Sequence, residues 1–202
     1  MAKGMRLDDL FVTVVAFAAL TSGACGGVKA ATIPPDYNLA AAPQNGVVIG
    51  VMDITDAPMG TQGISPGMSQ SVKNTATGTL YSLDFVERGH KADFYVSLPA
   101  GPYRFVGGEA NSGGGFGSGK VADWSDVGAT FQVSPGRVTC VGAVVAHRPP
   151  VTGLMSALSS GSKFEFSVSD VCEPLSGRFS QKYPALAPLL VKGVAMQEPG
   201  AK

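Results

Sequence analysis

Strong charge of either sign is missing from this 202-residue chain. Lys and Arg number 15, as do Asp and Glu, and charged residues make up 15% of the total, against roughly 25% in a usual soluble domain. Such a balance gives no long-range field to gather nucleic acid or anionic lipid, so nucleic acid is not an expected partner. Histidine occurs twice and cysteine three times, with no Cys/His spacing that suits zinc, so no metal or cofactor is expected. The main apolar run, residues 10–20, has 11 members and measures about 16 Å as a helix, where a bilayer core needs roughly 30 Å. No repeat of solenoid period is present. What the chain has in quantity is glycine (27) and proline (14), alongside plentiful Val, Phe, Ala and Thr. A disordered chain would lack those apolar residues. The mixture suits a β-rich globule with many turns, and the length suits one domain with tails.

Residues 1–30 read as an export signal. Lys3 and Arg6 precede the 10–20 run, with Asp8 and Asp9 between them. Ser22-Gly23-Ala24-Cys25 follows and resembles the lipobox of bacterial lipoproteins, departing from it at Ser22, where leucine is usual. The resemblance implies that residues 1–24 are a signal peptide and that Cys25 receives diacylglycerol and an amide-linked acyl chain of the palmitate type. Gly26, which is not Asp, then implies the outer membrane. Two or three acyl chains anchor firmly where one is marginal. On this reading residues 25–45 are a Gly/Ala/Pro-rich tether. A second processing point is open: signal peptidase cutting after Val28-Lys29-Ala30, which gives a soluble periplasmic or secreted protein. With Cys25 acylated, Cys140 and Cys172 remain as an even pair, expected to form a disulfide in an oxidising compartment; the alternative is two buried thiols.

From residue 46 the chain reads as strands. Residues 46–54 form a continuous apolar run, and residues 55–78 a turn-rich stretch with Pro58, Gly60, Gly63, Pro66 and Gly67. Residues 79–87 and 93–98 look like partners about Arg88-Gly89-His90, and residues 103–106, 129–133, 137–145 and 163–170 follow with turn signals between them. The expected fold is mainly β: a single antiparallel β-sandwich of about seven strands over residues 46–175, then a short helix and tail over residues 176–202. Phe179, Tyr183, Leu186 and Leu190 recur at helical spacing, and the helix is expected to start near Pro184.

Residues 94–105, centred on Leu98-Pro99-Ala100-Gly101-Pro102-Tyr103-Arg104, resemble a hairpin of transthyretin-like and carboxypeptidase-regulatory-like sandwiches. Residues 131–142, with Val133-Ser134-Pro135-Gly136-Arg137-Val138, are similar to a second hairpin of bacterial envelope lipoproteins of that architecture. The resemblance implies a surface-anchored binding or spacing module and brings no catalytic residue with it.

Three motifs that suggest chemistry fail on their mechanics. Gly63-Ile64-Ser65-Pro66-Gly67 matches a nucleophile elbow, yet Pro66 lacks the N–H that the oxyanion needs. Gly114 to Lys120 fits the front of a phosphate-binding loop, but Val121 stands where a magnesium-holding hydroxyl belongs. Ser160-Gly161-Ser162-Lys163 matches the S-x-x-K of penicillin-recognising enzymes without the rest of their constellation. The histidines, His90 and His147, read as turn and strand-end residues. Residues 107–119 read as a mobile loop between strands, with Phe116 and Trp124 as a candidate binding loop. The function expected is that of a non-catalytic envelope lipoprotein, held to the membrane by its lipid and meeting an envelope protein or glycan. The alternatives are a soluble carbohydrate- or peptide-binding module using Tyr81, Tyr95 or Tyr103, and a hydrolase with an unrecognised site.

Overall fold

The structure, a computed structural model, describes residues 27–54, 65–86, 91–114, 117–124, 126–147 and 165–197. Among the described residues thirteen strand segments form two mixed sheets, with one α-helix beside them. The first sheet has the order β1 (Val28–Lys29), β5 (Leu80–Val86), β4 (Ser65–Asn74), β7 (Gly101–Gly114), β9 (Ala129–Val133), β13 (Met196–Gln197), with β8 (Gly117–Trp124) also on β7. The second runs β11 (Glu165–Ser169), β10 (Val138–His147), β3 (Asn45–Asp53), β6 (Lys91–Pro99), β2 (Ala31–Thr32), with β12 (Leu190–Lys192) also on β10. The expectation of an antiparallel fold of about seven strands is corrected in two ways. There are more segments, and β1–β5, β3–β10 and β10–β12 pair in parallel.

A common core lies between the sheets, with Met52, Phe94 and Leu98 from one and Leu83, Tyr103 and Phe105 from the other. A second core covers the opposite face of the β3–β10 sheet. Ile49, Val51 and Cys140 there meet Leu175 and Phe179 of helix α1 (Cys172–Lys182) and Tyr183 just past its end, together with Ile33 and Leu39 from the N-terminal segment. Burial on both faces explains why β3 and β10 read as unbroken apolar runs.

Both family-like segments turn out to be corners. The Pro99–Gly101 corner carries the chain from β6 in one sheet to β7 in the other, and the turn at residues 134–137 carries it from β9 to β10. Residues 79–87 and 93–98 likewise part company: β5 pairs with β4, and β6 with β3. Each segment follows the apolar face it can bury, and the two sheets face one another, so a turn can equally well hand the chain across the core.

The turn-rich stretch 55–78 contains a ten-residue strand, β4. Its inward positions are Gln70, Val72 and Asn74, all buried, while Lys73 is exposed. The polar inward residues hide the alternation. Gln70 Nε2 donates to Gly107 O at 2.7 Å, and Asn74 Oδ1 accepts from the N–H groups of Ala76 and Thr77, which shapes the turn into β5. The expected loop at 107–119 is also corrected: β7 continues to Gly114 and pairs back with β8 from Gly117 to Trp124.

The helix lies upstream of the expected one. Pro174 sits in the first turn, where its missing N–H has no intrahelical acceptor, and Pro184 follows the helix end. Asp170 Oδ1 accepts from the Cys172 N–H at 3.1 Å, serving one of the free donors of the first turn. Cys140 on β10 and Cys172 in that turn are at disulfide distance, 2.10 Å between sulfurs, so the helix is tied to the sheet it covers. The described part of the expected tether packs on the domain. Ala30, Ile33 and Leu39 are buried, and Tyr183 Oη donates to Ile33 O at 3.0 Å.

Candidate functional site

β2 borders β6 for two residues only. Ala31 pairs with Ser97 and Thr32 with Val96, and Ile33 N–H then donates to Tyr95 O at 3.1 Å. Pro34 and Pro35 follow; with no N–H of their own they cannot extend the ladder, and the chain turns away. A groove of about 300 Å³ opens at this point, between the outer edge of β6 and helix α1, lined by Thr32, Asp93, Tyr95, Arg178 and Lys182 and by β6 between them.

Strand alternation turns Asp93 and Tyr95 toward the helix, and helical spacing puts Arg178 and Lys182 one turn apart on the same side. Arg178 grips the Asp93 carboxylate with both forks, Nε to Oδ2 at 2.8 Å and Nη2 to Oδ1 at 2.9 Å. Tyr95 Oη adds a third bond to Oδ2 at 2.9 Å. The pair is half-open to water, with Arg178 50% and Asp93 21% exposed, so its net stabilising effect is about 1 kcal/mol or less. Hydrogen bonding to the Asp93 carboxylate raises the Arg178 pKa, and burial, reinforced by Asp93, raises that of Tyr95. Both groups therefore keep their protons throughout the neutral range.

Lys182 Nζ lies 5.3 Å from the Tyr95 ring centroid and 5.6 Å from that of Tyr183. It is exposed and has no carboxylate partner among the described residues. With Asp93 neutralised by Arg178, the groove has one surplus positive charge. Its hydroxyls, guanidinium and ammonium are groups that hold a ligand in place, and among the described residues its lining has no thiol, imidazole or pair of carboxylates.

The expected site residues are not gathered here. Cys25 and Phe116 lie outside the described residues, as do His90 and residues 160–163. The backbone of Trp124 is on β8 opposite Gly108, and its side chain lies outside the described atoms. Ser65 begins β4, so the chain after it continues as a strand. Gly114 ends β7, and Gly117 to Lys120 lie on β8, which pairs with it. His147 ends β10 with Nε2 at 2.8 Å from Ser167 Oγ. Of the aromatics expected at a binding face, Tyr103 is fully buried, with its ring 5.5 Å from that of Phe131 and its hydroxyl donating to Pro99 O. Tyr81 is half-buried, and Tyr95 shows 9% of its surface, at the groove. Arg178 and Lys182 were missed; their spacing of four was a usable signal once the helix was placed over them.

Among the described residues no group of three or more His, Cys, Asp or Glu is arranged to hold a metal ion, and no helix is long and apolar enough to cross a membrane. No family model matches the chain, and no curated protein matches it. A leucine-rich repeat protein from Bacteroides thetaiotaomicron is similar in structure, at 19% identity and a TM-score of 0.41. The match covers 52% of this chain and 14% of that one, too little to assign a fold.

Proposed function

We propose that the chain is a non-catalytic lipoprotein of the cell envelope, acylated at Cys25 and held to the outer membrane. On this proposal the two sheets form a transthyretin-like sandwich that serves as an interaction module. The observation that favours Cys25 over Ala30 as the processing point is the place of residues 28–30 in the fold. Val28 and Lys29 pair with Tyr81 and Ser82, Ala30 is buried, and its N–H donates to Ser82 O at 2.9 Å. Cutting after Ala30 removes β1 and leaves a charged amino group at Ala31, in the first residue of β2. Cutting before Cys25 keeps all of it. The disulfide-distance cysteines suit the oxidising compartment that export implies.

The test is intact mass and fatty-acid labelling in the producing cell. The expected protein begins at Cys25 with ester- and amide-linked acyl chains, and Cys25→Ser abolishes palmitate incorporation. An unmodified N-terminus at Ala31 overturns the proposal in favour of a soluble secreted module.

A further inference from the structure

We propose that the groove beside β6 binds an extended acidic peptide from another protein, which adds as a strand to the open part of that edge. The inference uses the reading of the domain as an interaction module and is independent of acylation at Cys25.

The backbone supplies the first argument. Val47 N–H donates to Arg137 O, toward β10, so Val48, Gly50 and Met52 direct their backbone groups to β6, where they meet Val96, Phe94 and Ala92. By alternation the N–H and C=O groups of Lys91, Asp93, Tyr95 and Ser97 point to the outer edge. Ala31 serves Ser97, and Ile33 serves the Tyr95 carbonyl. Among the described residues no strand serves Asp93 or Lys91. The edge from Lys91 to Tyr95 measures about 13 Å, the reach of a segment of four or five residues. Exposed ladder groups of this kind pair with an incoming chain, and the Pro34-Pro35 exit ensures that the protein's own strand stops short of them.

Charge supplies the second. In an added strand alternate side chains face helix α1, and those meet Lys182 and Arg178. Arg178 is already held by Asp93, which leaves Lys182 to select a carboxylate. The charged side chains of Lys91 and Asp93 discourage indiscriminate strand pairing, so a partner must offer the complementary charge. A second copy of this chain would bring the same surplus positive charge to the edge, which favours a different, acidic partner.

The probe is a phage-displayed library of random decapeptides selected on the purified full chain, followed by synthesis of the best binder. The expected sequences alternate β-branched residues with Asp or Glu and contain no proline in the central segment. Three comparisons then follow by fluorescence polarisation. Changing the acidic residue to its amide weakens binding about two- to fivefold, the worth of a half-exposed ion pair. Methylating one edge-facing peptide nitrogen weakens it about two- to tenfold, the worth of one net backbone hydrogen bond. Lys182→Gln lowers affinity for the acidic peptide to that of the amide and leaves affinity for the amide unchanged. In the bound state, the amide resonances of Lys91 and Asp93 shift in NMR. Failure of the library to enrich, enrichment without acidic residues, indifference to N-methylation, or self-association through this edge in place of peptide capture each overturns the proposal. The labelling experiment on Cys25 reads out the anchor separately, so the two ideas fail independently.

Discussion

Breaking the Cys140–Cys172 link is a direct way to ask how the helix is held to its sheet. The cysteines are 32 residues apart, and the loop-entropy relation gives about 3.7 kcal/mol for closing a loop of that size in the unfolded chain. In the native state the change is small. Leu175, Phe179 and Tyr183 stay buried under the sheet, and Arg178 keeps its grip on Asp93. The double variant Cys140→Ser/Cys172→Ser should therefore fold with α1 docked while losing most of that stabilisation. With a urea slope of about 2 kcal/mol per molar, the midpoint falls by about 1.8 M with little change in slope. The assay is a urea titration followed by near-ultraviolet circular dichroism, which reports the Tyr95, Phe179 and Tyr183 cluster, alongside the far-ultraviolet signal. A shift below about 0.5 M would refute the reasoning, since the bond would then be adding little that helix packing does not already supply. Two separate transitions would refute it differently, by showing that α1 melts apart from the sheets.

Other substitutions test individual joints. Gly142 has a φ of +84° at a bulge in β10, and a Cβ there would lie 2.5 Å from Ser169 O, so Gly142→Ala should cost about 2 kcal/mol or more in equilibrium unfolding. Tyr183→Phe leaves the buried Ile33 carbonyl without its side-chain donor and should cost about 1–2 kcal/mol by the same measurement. Thr139 Oγ1 is buried and has no hydrogen-bond partner among the described residues, so Thr139→Val should raise stability by about 1 kcal/mol; a loss would show that the hydroxyl is served after all. Hydrogen bonds from Arg104 hold the Asp126 carboxyl below its usual range, and those from Lys192 do the same for Asp170. Because these folded values lie below the unfolded ones, the stability they add is present above about pH 4 and is lost as pH falls through the folded values. The melting temperature should drop on acidification across that window, and Arg104→Gln with Lys192→Gln should flatten the drop.

Sequence reading succeeded where the physics is local. The runs that became β3, β9 and β10 are apolar in the pattern that burial on one or both faces demands, and they were placed to within two residues at each end. The pairing of Cys140 with Cys172 is one of two outcomes the export reading left open, and the two sulfurs lie at disulfide distance. β4 escaped because buried Gln70 and Asn74 find their partners in backbone groups that only the folded neighbours provide. The helix was displaced because Phe179, Tyr183, Leu186 and Leu190 keep a helical spacing across Pro184, which lies just past the helix end at Lys182. The two corners were mistaken for hairpins because turn residues specify a reversal of direction and leave open which sheet receives the chain. The groove draws on residues 32, 93, 95, 178 and 182, which come together only after β2, β6 and α1 have docked. No window of the sequence contains them. Tyr95 was the one member singled out from the sequence, and the i, i+4 pair Arg178 and Lys182 was a further legible fragment.

The bulge at Gly142 divides one edge of β10 between two neighbours, with β12 beside Val138 to Cys140 and β11 beside Ala143 to His147. His147 at the end of β10 thus stands directly opposite Glu165 at the start of β11. Joining two points that a ladder already holds side by side adds closure entropy of only roughly 0.6 kcal/mol for each doubling of the connecting length. Sequence added between these two residues should therefore leave the β10–β11 register undisturbed.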